Sequence, residues 1–203
     1  MRILITTATL TFDVGSAAVE QARKTAGIDC DVFVSVDPLG QGGCKTANIG
    51  WKKALDEDYD YLVYLNDDVT ITQSGWLRRM IEVLEERDNR GIAVTGGVCN
   101  TYPQNTGKPG LPEKVIDVPM AAFFTVVIKR AVLESIGLLD DDFIHFGCDS
   151  DYVERAKRFG WKIVYIQDIY VIHDHLEVKD RPQKIRNWKR RDTTTFFDRW
   201  GYK

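Results

Sequence analysis

Short runs of apolar, β-prone residues alternate along the first half of this chain with segments of helical composition. Residues 3–6 predict a first strand, and residues 14–26 predict a helix that stops at Gly27. Asp31–Val36 predicts a second strand, followed by the glycine-rich turn Gly40-Gln41-Gly42-Gly43. Residues 45–55 read as a helix, Tyr61–Leu65 as a strand, residues 75–86 as a helix and residues 92–95 as a fourth strand. Alternation in this order implies an α/β fold with a largely parallel sheet and right-handed crossovers. Residues 99–113 hold three prolines and two glycines with little apolar content, which predicts a loop over the site. Beyond it the pattern predicts a strand over 123–128, a helix over 130–136 closed by Gly137, and a helix over 150–159 closed by Gly160. Strand-like segments follow at 162–166 and 170–172, and a helical tail at 182–200.

At 203 residues the chain suits one domain with a sizeable core. Within that one domain we divide the chain into residues 1–98, residues 115–175 and a basic tail (176–203). The longest apolar stretch, residues 120–128, is far too short to cross a membrane, and the first residues are too polar for a secretory signal. Cys30, Cys44, Cys99 and Cys148 have neither metal-type nor disulfide-scaffold spacing, so a reduced, cytoplasmic setting is expected. The net charge of −3 conceals an asymmetry: residues 176–203 carry nine Lys or Arg against four Asp or Glu. A basic tail on an acidic body suits an anionic partner such as a diphosphate, a nucleic acid or a membrane surface; a solvated amphipathic helix is the plainer alternative. The tail also interleaves Trp188, Phe196, Phe197, Trp200 and Tyr202 with its cations, which serves stacking on sugars or simple packing onto the domain equally well.

Candidate chemistry sits at the ends of predicted elements. Asn66-Asp67-Asp68 follows directly on the strand Tyr61–Leu65 and so lies at the sheet rim where open α/β folds bind ligands. Adjacent carboxylates repel one another, and a strand end gains nothing from them unless a cation is bound; a solvated turn is the alternative. Asp37 closes the second strand, where a carboxylate reaches the ribose or base of a nucleotide, or begins the turn Asp37-Pro38-Leu39-Gly40. Asp149-Ser150-Asp151 opens a helix, either as site residues or as ordinary first-turn acids. His173 ends the segment 170–172; His173 and His175 point to opposite faces of an extended chain, so one of them at most lines a site. The glycine turn fails as a phosphate loop, because Cys44 stands where Gly must precede Lys45. It fails as a dinucleotide fingerprint for want of a third glycine. No Gly-x-Ser-x-Gly elbow is present.

Four segments in this order resemble glycosyltransferase family 2, with its GT-A architecture. They are Val36-Asp37 with Gly42, Gly43, Ala47, Asn48 and Gly50; residues 61–68; residues 124–140 with Arg130, Leu133, Ile136-Gly137 and Leu139-Asp140; and Gly147-Cys148-Asp149-Ser150-Asp151 through Arg155, followed by residues 160–165. The resemblance implies a single-domain fold with a mostly parallel central sheet, residues 1–98 being the nucleotide-binding half and residues 115–175 the acceptor and catalytic half. It implies that Asp68 and His173 ligate Mn²⁺ or Mg²⁺, that Asp149 is the general base, and that Thr6, Asp37, Asn48 and Asp67 face the donor nucleotide. Arg190 and Arg191 of the tail would assist the diphosphate. The implied reaction is inverting transfer from a nucleoside-diphosphate sugar, UDP by preference, to the hydroxyl of a glycan or other acceptor. Cys148 replaces the Glu that usually precedes the catalytic Asp, and Thr6-Thr7-Ala8 lacks the Pro-x-x-Asn common at the first strand. A sugar-phosphate nucleotidyltransferase and a non-catalytic nucleotide-sugar or carbohydrate-binding module are the competing readings.

Overall fold

The computed structural model of the chain describes residues 1–98, 114–173 and 182–201. Strands β1 (Ile3–Thr9), β2 (Asp31–Val36), β3 (Tyr61–Leu65) and β5 (Arg90–Val98) alternate with helices α1 (Phe12–Thr25), α2 (Gly43–Asp56) and α3 (Trp76–Glu85). A two-residue strand β4 (Val69–Thr70) follows β3. The second half adds β6 (Val115–Asp117), β7 (Thr125–Lys129), α4 (Arg130–Ile136), α5 (Cys148–Arg158) and β8 (Lys162–His173). The tail is one helix, α6 (Gln183–Trp200), which begins directly after Pro182.

All eight strands join one sheet in the order β2-β1-β3-β7-β5-β8-β4, with β6 on β8. Strands β2, β1 and β3 are parallel, as are β5 and β8, while β7 lies antiparallel between β3 and β5. The expected fourth strand, β5, therefore does not neighbour β3; a strand from the second half is wedged between them and ties the two halves into one sheet. The segments expected at 162–166 and 170–172 are a single strand. Ile166 pairs with Thr95 and Tyr170 with Gly96, so residues 167–169 bulge out between two matched stretches. The expected loop at 99–113, together with Asp174 and His175, lies outside the described residues.

Strand periodicity distributes side chains into two cores. Ile3, Ile5, Val63 and Leu65 face α1 and α3, around buried Trp76. Leu4, Leu62, Val126 and Ile128 face α2, α4 and α5, around buried Trp51 and Tyr152. Runs buried on both faces are what parallel strands covered by helices require. Close helix approach depends on Gly50 of α2, where any Cβ would collide with the hydroxyl of Thr6 beneath it. Among the described residues no helix is long and apolar enough to cross a membrane.

Candidate active site

The carboxyl ends of β1, β2 and β3, the N-termini of α2 and α5, the end of β8 and the first half of α6 surround one cleft made of two cavities. The inner, of about 230 Å³, is lined by Trp51, Tyr64, Phe123, Cys148, Asp149 and Lys189, among others. The outer, of about 590 Å³, includes Leu10, Asp37, Lys184, Ile185 and Trp188 in its walls. Ala8, Gly43, Asp67, Asp68 and His145 line both, so these five residues form the waist between them.

Asp67 and Asp68 stand at the end of β3 because the Asn66 N–H donates to Phe124 O (2.9 Å) and the Val69 N–H to Asn66 O (3.2 Å), which turns the chain there. Asp67 Oδ2 accepts from Thr9 Oγ1 at 2.7 Å. Asp68 Oδ1 lies 3.0 Å from His173 Nε2, and β4 and β8 pair directly beside them, Val69 opposite His173. The imidazole, 7% exposed, stacks on Phe124 with ring centroids 5.1 Å apart. Asn66 Nδ2 approaches the same Nε2 at 3.3 Å. If Nε2 holds a proton, it satisfies Asp68 and leaves the Asn66 amide without an acceptor there. If Nε2 offers a lone pair to Asn66, it faces a buried carboxylate oxygen that itself has no hydrogen bond among the described residues. In that second tautomer two lone pairs face one another, an arrangement that a cation between them would satisfy. Adjacent ligands at roughly 2.1 Å from an octahedral ion lie about 3.0 Å apart, so the pair fits Mg²⁺ or Mn²⁺. Among the described residues no third His, Cys, Asp or Glu converges on the pair. Phosphate oxygens and water would have to complete the coordination shell, the usual arrangement for such ions.

Asp149 opens α5 after Gly147, whose φ of 72° makes the sharp entry. Its carboxylate accepts the N–H of Ser150 (2.7 Å) and of Phe123 (3.3 Å). Burial pushes its pKa up, against the lowering effect of those backbone donors. A hydrogen bond with Cys44, and burial, hold the Cys148 thiol well above its ordinary pKa, so this position is neutral where a Glu would add a second charge. The Tyr64 phenol is likewise raised well above its usual value by burial.

Asp37 lines the outer cavity, and its Oδ2 accepts the Gly42 N–H at 2.9 Å. The remaining expected nucleotide ligands are placed elsewhere. Thr6 is fully buried under α2 against Gly50. The Asn48 amide is engaged with Leu139, donating to its O (2.8 Å) and accepting from its N–H (3.0 Å), and reaches Asp141 at 3.2 Å. Arg190 and Arg191 are exposed on α6, and Arg191 pairs with Asp192 at 3.2 Å. Among the described residues, the tail cations that line the cavities are Lys184, whose Nζ donates to Gly40 O at 2.8 Å, and Lys189.

Sequence reasoning missed His145 and Asp192. His145 had no strand end or motif to mark it. The one signal that could have marked Asp192 is that it is a single acid directly after Lys189-Arg190-Arg191. Its carboxylate is fully buried and accepts three backbone N–H groups, from Ile144 (3.2 Å), His145 (2.9 Å) and Phe146 (2.9 Å). A second buried acid, Asp151, binds Arg155 Nε (2.8 Å), Arg199 Nη1 (2.9 Å) and Trp200 Nε1 (3.0 Å). These two carboxylates dock α6 against residues 144–146 and α5 at the cleft.

No protein-family profile matches the chain. It is 22% identical over 160 residues to the dTDP-rhamnosyl transferase RfbF of Shigella flexneri, a match to 71% of this chain and 52% of that protein. The chain thus spans about half the length of this curated relative. Among solved structures it resembles A197 from STIV (TM-score 0.60, 16% identity, 87% of each chain). It also resembles GalNAc-T7, solved with UDP, GalNAc and Mn²⁺ (TM-score 0.66, 13% identity, 97% of this chain and 50% of that one). The catalytic domain of Drosophila β1,4-galactosyltransferase 7 in complex with xylobiose is similar too (TM-score 0.61, 14% identity, 98% and 84%). With its mixed, mostly parallel sheet, its flanking helices and a cleft at the strand ends, the chain has the GT-A glycosyltransferase fold.

Proposed function

We propose that this chain is a metal-dependent, inverting glycosyltransferase that moves a sugar from a nucleoside-diphosphate sugar to an acceptor hydroxyl. The observation that carries the reading is the shared cleft of Asp68 and Asp149, one carboxylate paired with an imidazole for a cation and the other set apart as a base. GalNAc-T7, solved with UDP and Mn²⁺, supports a nucleotide donor and a divalent ion. The xylobiose complex of galactosyltransferase 7 supports a glycan acceptor. Asp68 and His173 would hold Mn²⁺ or Mg²⁺, and the imidazole ligand tilts the choice toward Mn²⁺. When bound, the ion supplies positive charge for the departing diphosphate.

In the reaction the bond from the sugar C1 to the phosphate oxygen breaks, and its electron pair leaves with the nucleoside diphosphate. The acceptor oxygen bonds to C1 from the other face, and its proton passes to Asp149. Burial makes Asp149 a stronger base than an exposed aspartate, and a positioned base contributes roughly 10²- to 10⁴-fold. The free thiols Cys30, Cys44 and Cys148 favour a reducing, cytoplasmic setting. UDP is the favoured donor nucleotide; the rhamnosyl transferase relative makes dTDP the first alternative.

Calorimetric titration of UDP, dTDP and GDP, with and without Mn²⁺, followed by turnover of a nucleotide-sugar panel, tests the reading. Mn²⁺-dependent binding and release of a nucleoside diphosphate support it. Release of pyrophosphate from a nucleoside triphosphate and a sugar phosphate would make the chain a nucleotidyltransferase. Donor binding without turnover across acceptors would make it a binding module.

A further inference from the structure

The glycosyltransferase reading fixes where each part of a donor lies. The sugar must reach Asp149, which lines the inner cavity, and the nucleoside must reach Asp37, which lines the outer. The diphosphate then crosses the waist, whose side chains are those of Ala8, Asp67, Asp68 and His145, with Gly43 contributing backbone. Two of these are carboxylates, which repel a diphosphate except through a cation. Of the five waist residues His145 alone carries a side-chain N–H.

The surroundings of His145 fix both its tautomer and its place. The Gly43 N–H donates to His145 Nδ1 at 3.3 Å, so the proton of the neutral ring resides on Nε2. Gly43 has to be glycine, since a Cβ there would stand 2.7 Å from that nitrogen. The ring is braced edge-on by Phe146, with centroids 4.7 Å apart, and by a tilted Trp188 ring at 6.1 Å. Its backbone is held on one side by Asp192 and on the other by Ile144 O, which accepts the Cys44 N–H at 3.1 Å. So many constraints on one half-buried loop histidine resemble the preorganisation of a catalytic donor rather than ordinary packing.

We propose that His145 is a catalytic residue that donates its Nε2–H hydrogen bond to the departing diphosphate. It keeps its proton throughout: as the C1–O bond breaks, the electron pair gathers on the phosphate oxygens and the hydrogen bond strengthens.

The test uses the full chain with Mn²⁺ and three variants. His145→Ala lowers kcat by roughly 10²- to 10³-fold, the effect of removing one such donor. His145→Gln, whose amide places an N–H near Nε2, recovers at least tenfold of that loss. His145→Asn, which offers Gly43 an acceptor at the place of Nδ1 but puts no donor at the waist, does not. Rescue by Asn and not by Gln, or an unchanged kcat in the Ala variant, overturns the proposal and makes His145 structural. A turnover-independent arm compares UDP with uridine by calorimetry. The Ala variant weakens UDP several-fold and leaves uridine unchanged; equal effects on both also overturn the diphosphate contact. Wild-type protein that turns over no nucleotide sugar would instead count against the glycosyltransferase reading, with the UDP and uridine comparison still deciding the role of His145.

Discussion

Asp149 and Asp151 open the same helix two residues apart, yet they belong to different regions of the molecule. Asp149 faces the cleft and is held by backbone N–H groups and the Ser150 side chain, with no ion pair to a cation among the described residues, and burial raises its pKa. Asp151 faces away, fully buried among Arg155, Arg199 and Trp200. A carboxylate without a countercharge is unfavourable for stability and useful as a base. One surrounded by guanidinium groups is the reverse. About 100° of helical rotation per residue turns the two to opposite sides of the helix and gives each its environment.

The comparison breaks most sharply at Asp149. Asp149→Asn should lower transfer by roughly 10²- to 10⁴-fold in a steady-state assay while UDP affinity stays within a few-fold of wild type. Loss of binding with retained turnover would exchange the roles given to Asp149 and Asp68. Asp151→Asn should do the opposite. Leaving Arg155 and Arg199 facing a neutral amide costs about 3 kcal/mol, or roughly 6–12 °C in thermal midpoint for a chain of this size. At temperatures where this variant is folded, its kcat should stay near that of wild type. At Asp68 and His173, which the proposal assigns to the ion, Asp68→Ala and His173→Ala should each abolish the enhancement of UDP binding by Mn²⁺, read by calorimetry. Removing the metal with EDTA should reproduce that loss in wild type.

The smallest effect concerns pH. A folded-state pKa raised above the unfolded value means that the native protein holds the Asp149 proton more tightly. Stability from this group is therefore present at low pH and is lost as pH climbs from the ordinary aspartate range through the raised value. Asp149→Asn should accordingly melt at the same temperature as wild type or slightly higher at neutral pH. The acid limb of kcat/KM in wild type should lie above that of an exposed aspartate. A clearly lower midpoint for the Asn variant would mean that the carboxylate's hydrogen bonds outweigh its burial.

Much of this was legible in the sequence, for identifiable reasons. Strands buried on both faces are largely apolar runs, so β1, β3 and β5 were readable, and Asp67 and Asp68 drew notice because acids directly after such a run are costly. The place of β7 was not readable, because nothing local states which strand an antiparallel segment will join. Two- and three-residue strands such as β4 and β6 exist only through pairing with β8. In the tail, charge suggested Arg190 and Arg191, but helical phase decides which cations meet the cleft. Counting about 100° per residue from buried Asp192, Arg190 lies roughly 200° away on the far side, whereas Lys189 and Trp188 fall within about 60°. Only the burial of Asp192, a tertiary fact, sets that phase. Thr6 and Asn48 sit beside the right strands, but one hydroxyl supports α2 and one amide is bound to Leu139.

One wall of the cleft is attached differently from the rest. The single fully covered residue of α6 is the polar Asp192, and its far end is fastened by the ion pairs of Arg199 with Asp140, Asp142 and Asp151. The sheet, by contrast, is sealed by apolar contacts that added salt does not weaken. Amides of α6 should therefore exchange with deuterium well before those of β1 and β3, and sooner still in concentrated sodium chloride. Ionic strength would act on this molecule as a hand on one hinged panel: it loosens the side that carries Trp188 and leaves the opposing carboxylates in place.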